Sequence, residues 1–330
     1  MNSDPVFDYQ RLSPDKVLNA VQREGYRCDG HLLPLNSYEN RVYRVGLENN
    51  ISIIVKFYRP ERWNNAAILE EHEFANELAY NEIPVIAPIP DQYGDTLRHY
   101  ESYRFALFQN WGGRAPDLEN SNHLESLGRC LGRIHVVGKS KLFYSRPTLT
   151  PKYFGVESYS FLLENDFIPD DLKVAYRSLS EHLMQLVSFC YERAGNISVL
   201  RLHGDCHAGN VLWTDEGPHF VDLDDSRNGP AIQDLWMFLP GGRDDQERCL
   251  ASLLNGYTQF CDFNSLELYL IEALRTIRII YYYAWIGRRW NDPAFPNAYP
   301  WFNTQQCWED HILSLREQVA LMQEHPLSLI

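Results

Sequence analysis

The sequence predicts an α+β fold in two lobes: a small β-rich lobe over residues 1–110 and a larger, mainly helical lobe over residues 111–330. Three observations lead there. A chain of 330 residues exceeds what one ordinary core encloses. Strand-like apolar runs crowd between residues 41 and 109, whereas stripes of helical period dominate beyond residue 120. Between them Trp111-Gly112-Gly113 interrupts both patterns and reads as a hinge.

Residues 14–24 have the pattern of a short helix, and the runs 41–46 and 51–58 form a predicted hairpin around Glu48-Asn49-Asn50. A helix follows over 65–81, with Ile68, Ala75 and Leu78 on one face and prolines at 84, 88 and 90 ending it. Two more strands are expected at 96–98 and 103–109. In the second lobe, core-facing stripes run through Leu124, Leu127, Leu131 and Ile134, then Leu179, Leu183, Leu186 and Cys190. Leu270, Leu274, Ile277 and Tyr281 make a third, and Trp308, Ile312, Leu315, Val319 and Met322 a fourth. One interruption stands out: strands 210–213 and 219–223 flank a turn at 214–218, with polar residues gathered at one end.

Hydrophobic residues at 45% against 22% charged describe a packed globular protein. The net charge of -14 argues against nucleic acid or an anionic membrane as partner. MNSDPVFDYQ lacks the basic and apolar regions of a secretory signal, and no apolar run approaches a membrane span. Seven cysteines without a CxxC pair read as free thiols of a cytoplasmic protein, expected to be monomeric.

The chemistry is concentrated in His203-Gly204-Asp205, with Asn210 five positions later and Asp222 twelve beyond that. Phosphoryl transfer needs metal to neutralise phosphate oxygens and a carboxylate to hold and deprotonate the attacking hydroxyl. Magnesium favours carboxylate and amide oxygens. Asp205 as base, with Asn210 and Asp222 as metal ligands, supplies those parts, and Asp222 enters the catalytic set with Asp205. Each residue alone could cap a turn, but that leaves the joint spacing unexplained. His203 is expected to brace the loop. His203-x-Asp205-x-His207 also admits a metal-dependent hydrolase, although no further histidine cluster completes such a site and Asn210 and Asp222 would have no role.

Lys56 lies within the apolar run Ile53-Ile54-Val55-Lys56-Phe57, so it is either an edge residue or has a buried anionic partner. Helical spacing from Ile68, Ala75 and Leu78 selects Glu71 as that partner, with Glu70 and Glu73 pointing outward. No glycine-rich loop precedes the first strand; Asn36-Ser37-Tyr38-Glu39-Asn40 stands there, and Ser37 is the candidate phosphate contact. Residues 107–111 are expected to meet the adenine.

The spacing of Asp205, Asn210 and Asp222 resembles the catalytic and metal-binding loops of protein kinases, with Gly204 in place of their arginine. That variant is the pattern of the aminoglycoside phosphotransferase and choline kinase relatives. The strings LNSYENRVY, IVKFYRPERW, LRLHGDCHAGN, FVDLDDSRNGPAIQDLW and RRWNDPAFP resemble the bacterial stress-response protein kinases of that superfamily, over residues 33–302. The resemblance implies a protein-kinase-like fold and a cytoplasmic Ser/Thr kinase using ATP and magnesium. It implies Asp205 as proton acceptor, Asn210 and Asp222 as magnesium ligands, and Ser37 and Lys56 as ATP contacts. Asp234 resembles the aspartate that braces kinase catalytic loops. Protein Ser/Thr hydroxyls, including those of the chain itself, are the implied acceptors.

Asp224 and Asp225 read equally as ligands of a second metal or as solvated acids. Arg275 and Arg278 could engage an acidic or phosphorylated substrate or pair with the chain's own 44 acidic residues. Trp285, Trp290 and Trp301 read as core or as a substrate groove. The segment between Asp222 and Asp234 leaves little room for a peptide-supporting activation loop, which favours a kinase of small amino alcohols, sugars or antibiotics. The long matching strings favour a protein kinase. A nucleotide-binding regulatory module of low turnover is the remaining alternative, and the complete set of base and metal residues counts against it.

Overall fold

The computed structural model describes residues 11–329, so the decapeptide read for a targeting signal lies outside the described residues. The protein mixes helices and strands as expected and divides into two compact units. The first comprises the chain up to Pro116 together with Phe143–Arg146 and Ala208–Ser226; the second comprises Asp117–Leu142, Pro147–His207 and the chain from Arg227 onward.

In the first unit, α1 (Pro14–Arg23) begins where the Ser13 hydroxyl accepts from the Lys16 backbone and Pro14 supplies a preset φ. Then come β1 (Cys28–Pro34), β2 (Arg41–Leu47), β3 (Ile51–Phe57), α2 (Asn65–Tyr80), β4 (Arg98–Tyr100) and β5 (Tyr103–Gln109). The strands form one antiparallel sheet in the order β1-β2-β3-β5-β4. The β2–β3 hairpin turns through Asn49 and Asn50, both at positive φ (80° and 59°), which asparagine tolerates better than most residues. Val45, Ile53, Val55, Phe57, Phe105 and Leu107 bury one sheet face against Val17, Ala20 and Val21 of α1. The sequence reading misses β1, whose run Cys28–Pro34 has five exposed residues to two half-buried ones, Cys28 and Leu32, and no apolar alternation. The strand expected at 96–98 begins instead at Arg98, because Thr96 is buried and bonded to His72 rather than to a strand.

The second unit takes α3 (Ser121–Gly138), α4 (Glu157–Glu164), α5 (Asp170–Ala194) and β6 (Leu200–Leu202). The chain then completes the first unit with the hairpin β7 (Val211–Thr214) and β8 (Gly217–Phe220). β9 (Arg227–Gly229) pairs with β6, and α6 (Arg243–Tyr257), α7 (Ile271–Gly287), α8 (Ala294–Ala298) and α9 (Gln305–Leu321) follow. The stripe expected on α5 is rotated: Tyr176, Ser180, Leu183, Val187 and Cys190 are buried, whereas Leu179 and Leu186 are half-buried. The β7–β8 turn is tighter than expected, with only Asp215 and Glu216 between the strands and Gly217 at φ 110°. Within the first unit the hairpin is tied down at both strands: Trp213 exchanges backbone bonds with Arg114 (2.6 and 3.1 Å), and Phe220 accepts from Ile86 at 3.0 Å.

α3 and α6 approach so closely that a Cβ at Gly128 would lie 1.9 Å from the Leu253 carbonyl oxygen, and one at Gly256 1.9 Å from that of Glu125. The obstruction is backbone, which cannot swing aside. Gly128→Ala is expected to destabilise the protein by about 1–3 kcal/mol despite alanine's better helix propensity, read as a lowered urea midpoint. An unchanged midpoint would show that the two helices separate at little cost.

Among the described residues no helix is long and apolar enough to cross a membrane. All seven cysteines are free thiols.

Candidate active site

β3 and α2 bring Lys56 and Glu71 together. Lys56 pairs with Val42 and Ala106 on the neighbouring strands, so it stands in the middle of the sheet and not at an edge. Its Nζ lies 3.4 Å from Glu71 Oε1, 3.0 Å from Asp222 Oδ1 and 3.3 Å from Asp224 Oδ1. Burial disfavours the ammonium, but Asp222, Asp224 and Glu71 outweigh it and hold the Lys56 pKa well above the ordinary lysine value. Burial and the nearby Asp224 and Asp222 push Glu71 up to about 7, against the pull of Lys56 and Arg146. The helical arithmetic that selected Glu71 therefore meets the geometry.

Asp222 sits just past β8 in the left-handed region (φ 58°, ψ 65°), a conformation unusual for a residue with a side chain. Its backbone turn directs the carboxylate to Lys56 while leaving the side chain 52% exposed, open to a further ligand. Asn210 opens β7; its carbonyl accepts from Val221 at 3.0 Å, which holds the two loops in register. Lys56, Glu71, Asn210, Asp222 and Ser37 all line one cavity of about 330 Å³ within the first unit. Phe108, Gln109, Asn110 and Trp111 line it too, from the end of β5. Trp111 stacks on His219 at 4.5 Å, and Asn110 donates to Ser52 Oγ at 2.8 Å. The amide of Asn210 and the half-open carboxylate of Asp222, facing one cavity, are a donor set that suits magnesium completed by phosphate and water oxygens.

Asp224 is not a solvated acid. It is buried, accepts from Asn40 Nδ2 at 3.0 Å and pairs with Arg62 as well as with Lys56. Burial would raise its pKa, but Arg62, Lys56 and Arg146 hold it well below the usual carboxylate range. Asp225 pairs with Arg62 at 2.8 Å. Arg146, missed in the sequence, is buried and donates to the backbone carbonyls of Ala67, Asp224 and Ser226. Its place is set by Glu70, which does not point idly outward: its carboxylate accepts from the backbone of Tyr144, Ser145 and Arg146 at 2.8, 2.8 and 3.2 Å. A lone arginine in a loop 78 to 80 residues from the carbonyls it meets carries no periodic signal that could have found it.

Asp205 belongs to the second unit. Its loop is fixed by Asp234, whose two carboxylate oxygens accept from the backbones of His203 (2.7 Å) and Gly204 (2.8 Å). His135 Nε2 approaches the same carboxylate at 3.3 Å, and Gln233 donates to the Gly204 carbonyl at 3.1 Å. Gly204 has φ 85°, which explains glycine where protein kinases have arginine. His203 is buried and supports the loop through its backbone, as expected of a bracing residue. Arg278 Nη1 lies 2.7 Å from Asp205 Oδ1, and His207 Nε2 lies 3.5 Å from Oδ2. Burial opposes ionisation of Asp205, yet His207 and Arg278 prevail and keep it well below the usual range. Arg275 pairs with Glu272 at 3.2 Å and lies over the Trp236 ring. Among the described residues no three His, Cys, Asp or Glu side chains gather as a metal-holding cluster, which removes the support for a hydrolase built on His203, Asp205 and His207.

A lysine paired to a helix glutamate, an open carboxylate and amide at the mouth of a hairpin, and a strand lining one cavity with them define a kinase-like nucleotide site. The sequence pattern of the phosphotransferase enzyme family matches residues 31–269, and the chain belongs to that family; it is an ATP-dependent phosphotransferase. It is 44% identical over 327 residues to stress response kinase A of Escherichia coli O157:H7, covering 99% of this chain and 98% of that one. It is 42% identical, with the same coverage, to the serine/threonine protein kinase RdoA of Salmonella typhimurium. In fold it is similar to amicoumacin kinase hAmiN, solved with AMP-PNP, Ca2+ and Ami (TM-score 0.73, 19% identity, 97% of this chain and 96% of that one). It is also similar to a microcompartment-associated aminopropanol kinase (TM-score 0.72, 14% identity, 96% and 100%).

Proposed function

We propose that the protein is a magnesium-dependent Ser/Thr protein kinase acting in a cytoplasmic stress response. The observation that carries the nucleotide half of this reading is the convergence of Ser37, Lys56, Glu71, Asn210 and Asp222 on one cavity lined by the end of β5. Residues 1–110 supply Ser37, Lys56 and Glu71 to the nucleotide, and residues 111–330 complete its cavity with Asn210 and Asp222 and supply Asp205 and the acceptor site. Lys56, oriented by Glu71, contacts the ATP phosphates, with Ser37 contacting them from the loop before β2. Asn210 and Asp222 hold magnesium, which neutralises phosphate charge. The adenine rests against residues 108–111.

Asp205 accepts a hydrogen bond from the acceptor hydroxyl and takes its proton as the oxygen bonds to the γ-phosphorus and the bond to the ADP oxygen breaks. A carboxylate held so strongly in its ionised form is a weak base. In a loose phosphoryl-transfer transition state its main contribution is to orient the hydroxyl, with proton transfer late. Protein as acceptor is supported by the relatives that match the chain end to end, one of them named a serine/threonine protein kinase. A small-molecule acceptor is supported by the solved neighbours, an amicoumacin kinase and an aminopropanol kinase, and by the short segment between Asp222 and Asp234.

Transfer of labelled γ-phosphate from ATP tests the two readings. The wild-type chain and Asp205→Ala are compared alone, with protein acceptors, and with a panel of amino alcohols and amino sugars. Label on serine or threonine that is lost in the variant supports the proposal. Label confined to a small molecule overturns it and leaves the nucleotide site as assigned.

A further inference from the structure

One face of α7 carries a pattern that nucleotide binding does not use. Arg278, 43% exposed at its side chain, contacts Asp205 through one terminal nitrogen at 2.7 Å. Tyr282, one helical turn on, is 40% exposed and stacks on Trp285 with ring centroids 5.9 Å apart and planes 13° from parallel. The Arg289 guanidinium lies 5.1 Å over the Trp285 indole. Positions 278, 282 and 285 advance by four and three, so they form a single stripe along α7, and Arg289 follows in the turn just past the helix end. A cationic and aromatic stripe is thus set out in a chain of net charge -14, and it starts at the carboxylate that would receive the acceptor hydroxyl.

We infer that this stripe docks the acceptor, and that the acceptor is a peptide segment with an acidic or phosphorylated side chain beside the target Ser or Thr and an apolar residue further along. The inference rests on the reading of Asp205 as the acceptor-binding carboxylate. A guanidinium presents five N–H donors in a planar fork, so Arg278 can keep Asp205 on one edge and take a second carboxylate or phosphate on another. The same charge stands against an amine placed beside the reacting hydroxyl, as in an amino sugar or a quaternary amino alcohol. The exposed Tyr282 ring, backed by the half-buried Trp285, offers an apolar contact with little rotamer freedom to lose, which suits an extended peptide.

The test is kcat/KM for paired Ser peptides that differ only in Glu or Lys flanking the serine, measured with the wild type, Arg278→Lys and Arg278→Glu. Using the ratio within each variant cancels any general loss of turnover caused by disturbing Asp205. The wild type is expected to favour the Glu peptide by about tenfold or more, the size of one charge-assisted hydrogen bond. Arg278→Lys should keep the sign of that preference, and Arg278→Glu should reverse it. Tyr282→Ala should raise KM for both peptides while leaving the ratio. Asp205-dependent labelling of both peptides at equal rates, or a preference untouched by Arg278→Glu, overturns the stripe and leaves the kinase reading standing. Labelling of neither peptide, with label on an amino alcohol or amino sugar instead, overturns both.

Discussion

Asp205→Ala is expected to cut phosphotransfer by roughly 10²–10⁴-fold while Mg-nucleotide affinity stays close to wild type. The reason is placement: Asp205 is not among the residues that line the nucleotide cavity, and the loop that carries it is held through Asp234 by backbone bonds that the substitution leaves in place. Arg278 loses its partner but is half exposed, so the cost in stability stays within about 1 kcal/mol. Asp222→Ala should abolish turnover as well, and it should also weaken Mg-nucleotide binding, since it removes an oxygen ligand and one of the carboxylates facing Lys56. Calorimetric titration of the non-hydrolysable nucleotide with and without magnesium separates the two. Equal losses of nucleotide affinity would sink this division of roles.

Lys56→Met has the second large effect, and it strikes stability as well as function. The methionine fills the same space in the sheet but leaves Glu71 and Asp224 buried and facing each other with their shared cation gone. Removing one partner of a buried ionic cluster typically costs about 3–5 kcal/mol. Arg62 and Arg146 still stand near Asp224, so the lower part of that range is expected here. Urea unfolding should show the loss in the absence of nucleotide. ATP should restore less stability than it does for the wild type, because the group that meets its phosphates is missing. A second substitution, Glu71→Gln, should recover part of the lost stability by removing one of the stranded charges. If Lys56→Met unfolds at the wild-type midpoint, the cluster is not a stabilising unit.

What could be read from the sequence divides along the range of the interactions. The β2–β3 hairpin, α2 and the face that carries Glu71 follow from local period and turn chemistry, and the structure has them within a residue or two. The spacing of Asn210 and Asp222 was legible because a short hairpin returns the chain to its starting end. β1 was not, since its residues are mostly exposed, include Gly30 and Pro34, and show no alternation, so that pairing with β2 is what defines it. Asp224, Arg62 and Arg146 form one cluster from three distant segments, and no window of sequence contains it. Glu70 shows the limit of helical arithmetic: an outward position was correctly inferred, but a loop arriving from residues 144–146 gives it three bonds. The tilt of the α5 stripe was likewise decided by what packs on it, with Tyr176 and Val187 buried in place of Leu179 and Leu186.

The first unit is stitched from three separate stretches of chain, and this governs how the protein can be made. A ribosome that has delivered the five-stranded sheet and both of its helices has not yet delivered Arg146, Asn210, Asp222 or Asp224. At ordinary rates of synthesis the last of these emerges on the order of ten seconds later. Through that interval Lys56 and Glu71 wait without the acids and arginine that complete their cluster. The amino-terminal half made alone is therefore expected to expose uncovered core and buried charge: a gene cut at residue 116 would encode a sheet with an unfinished wall.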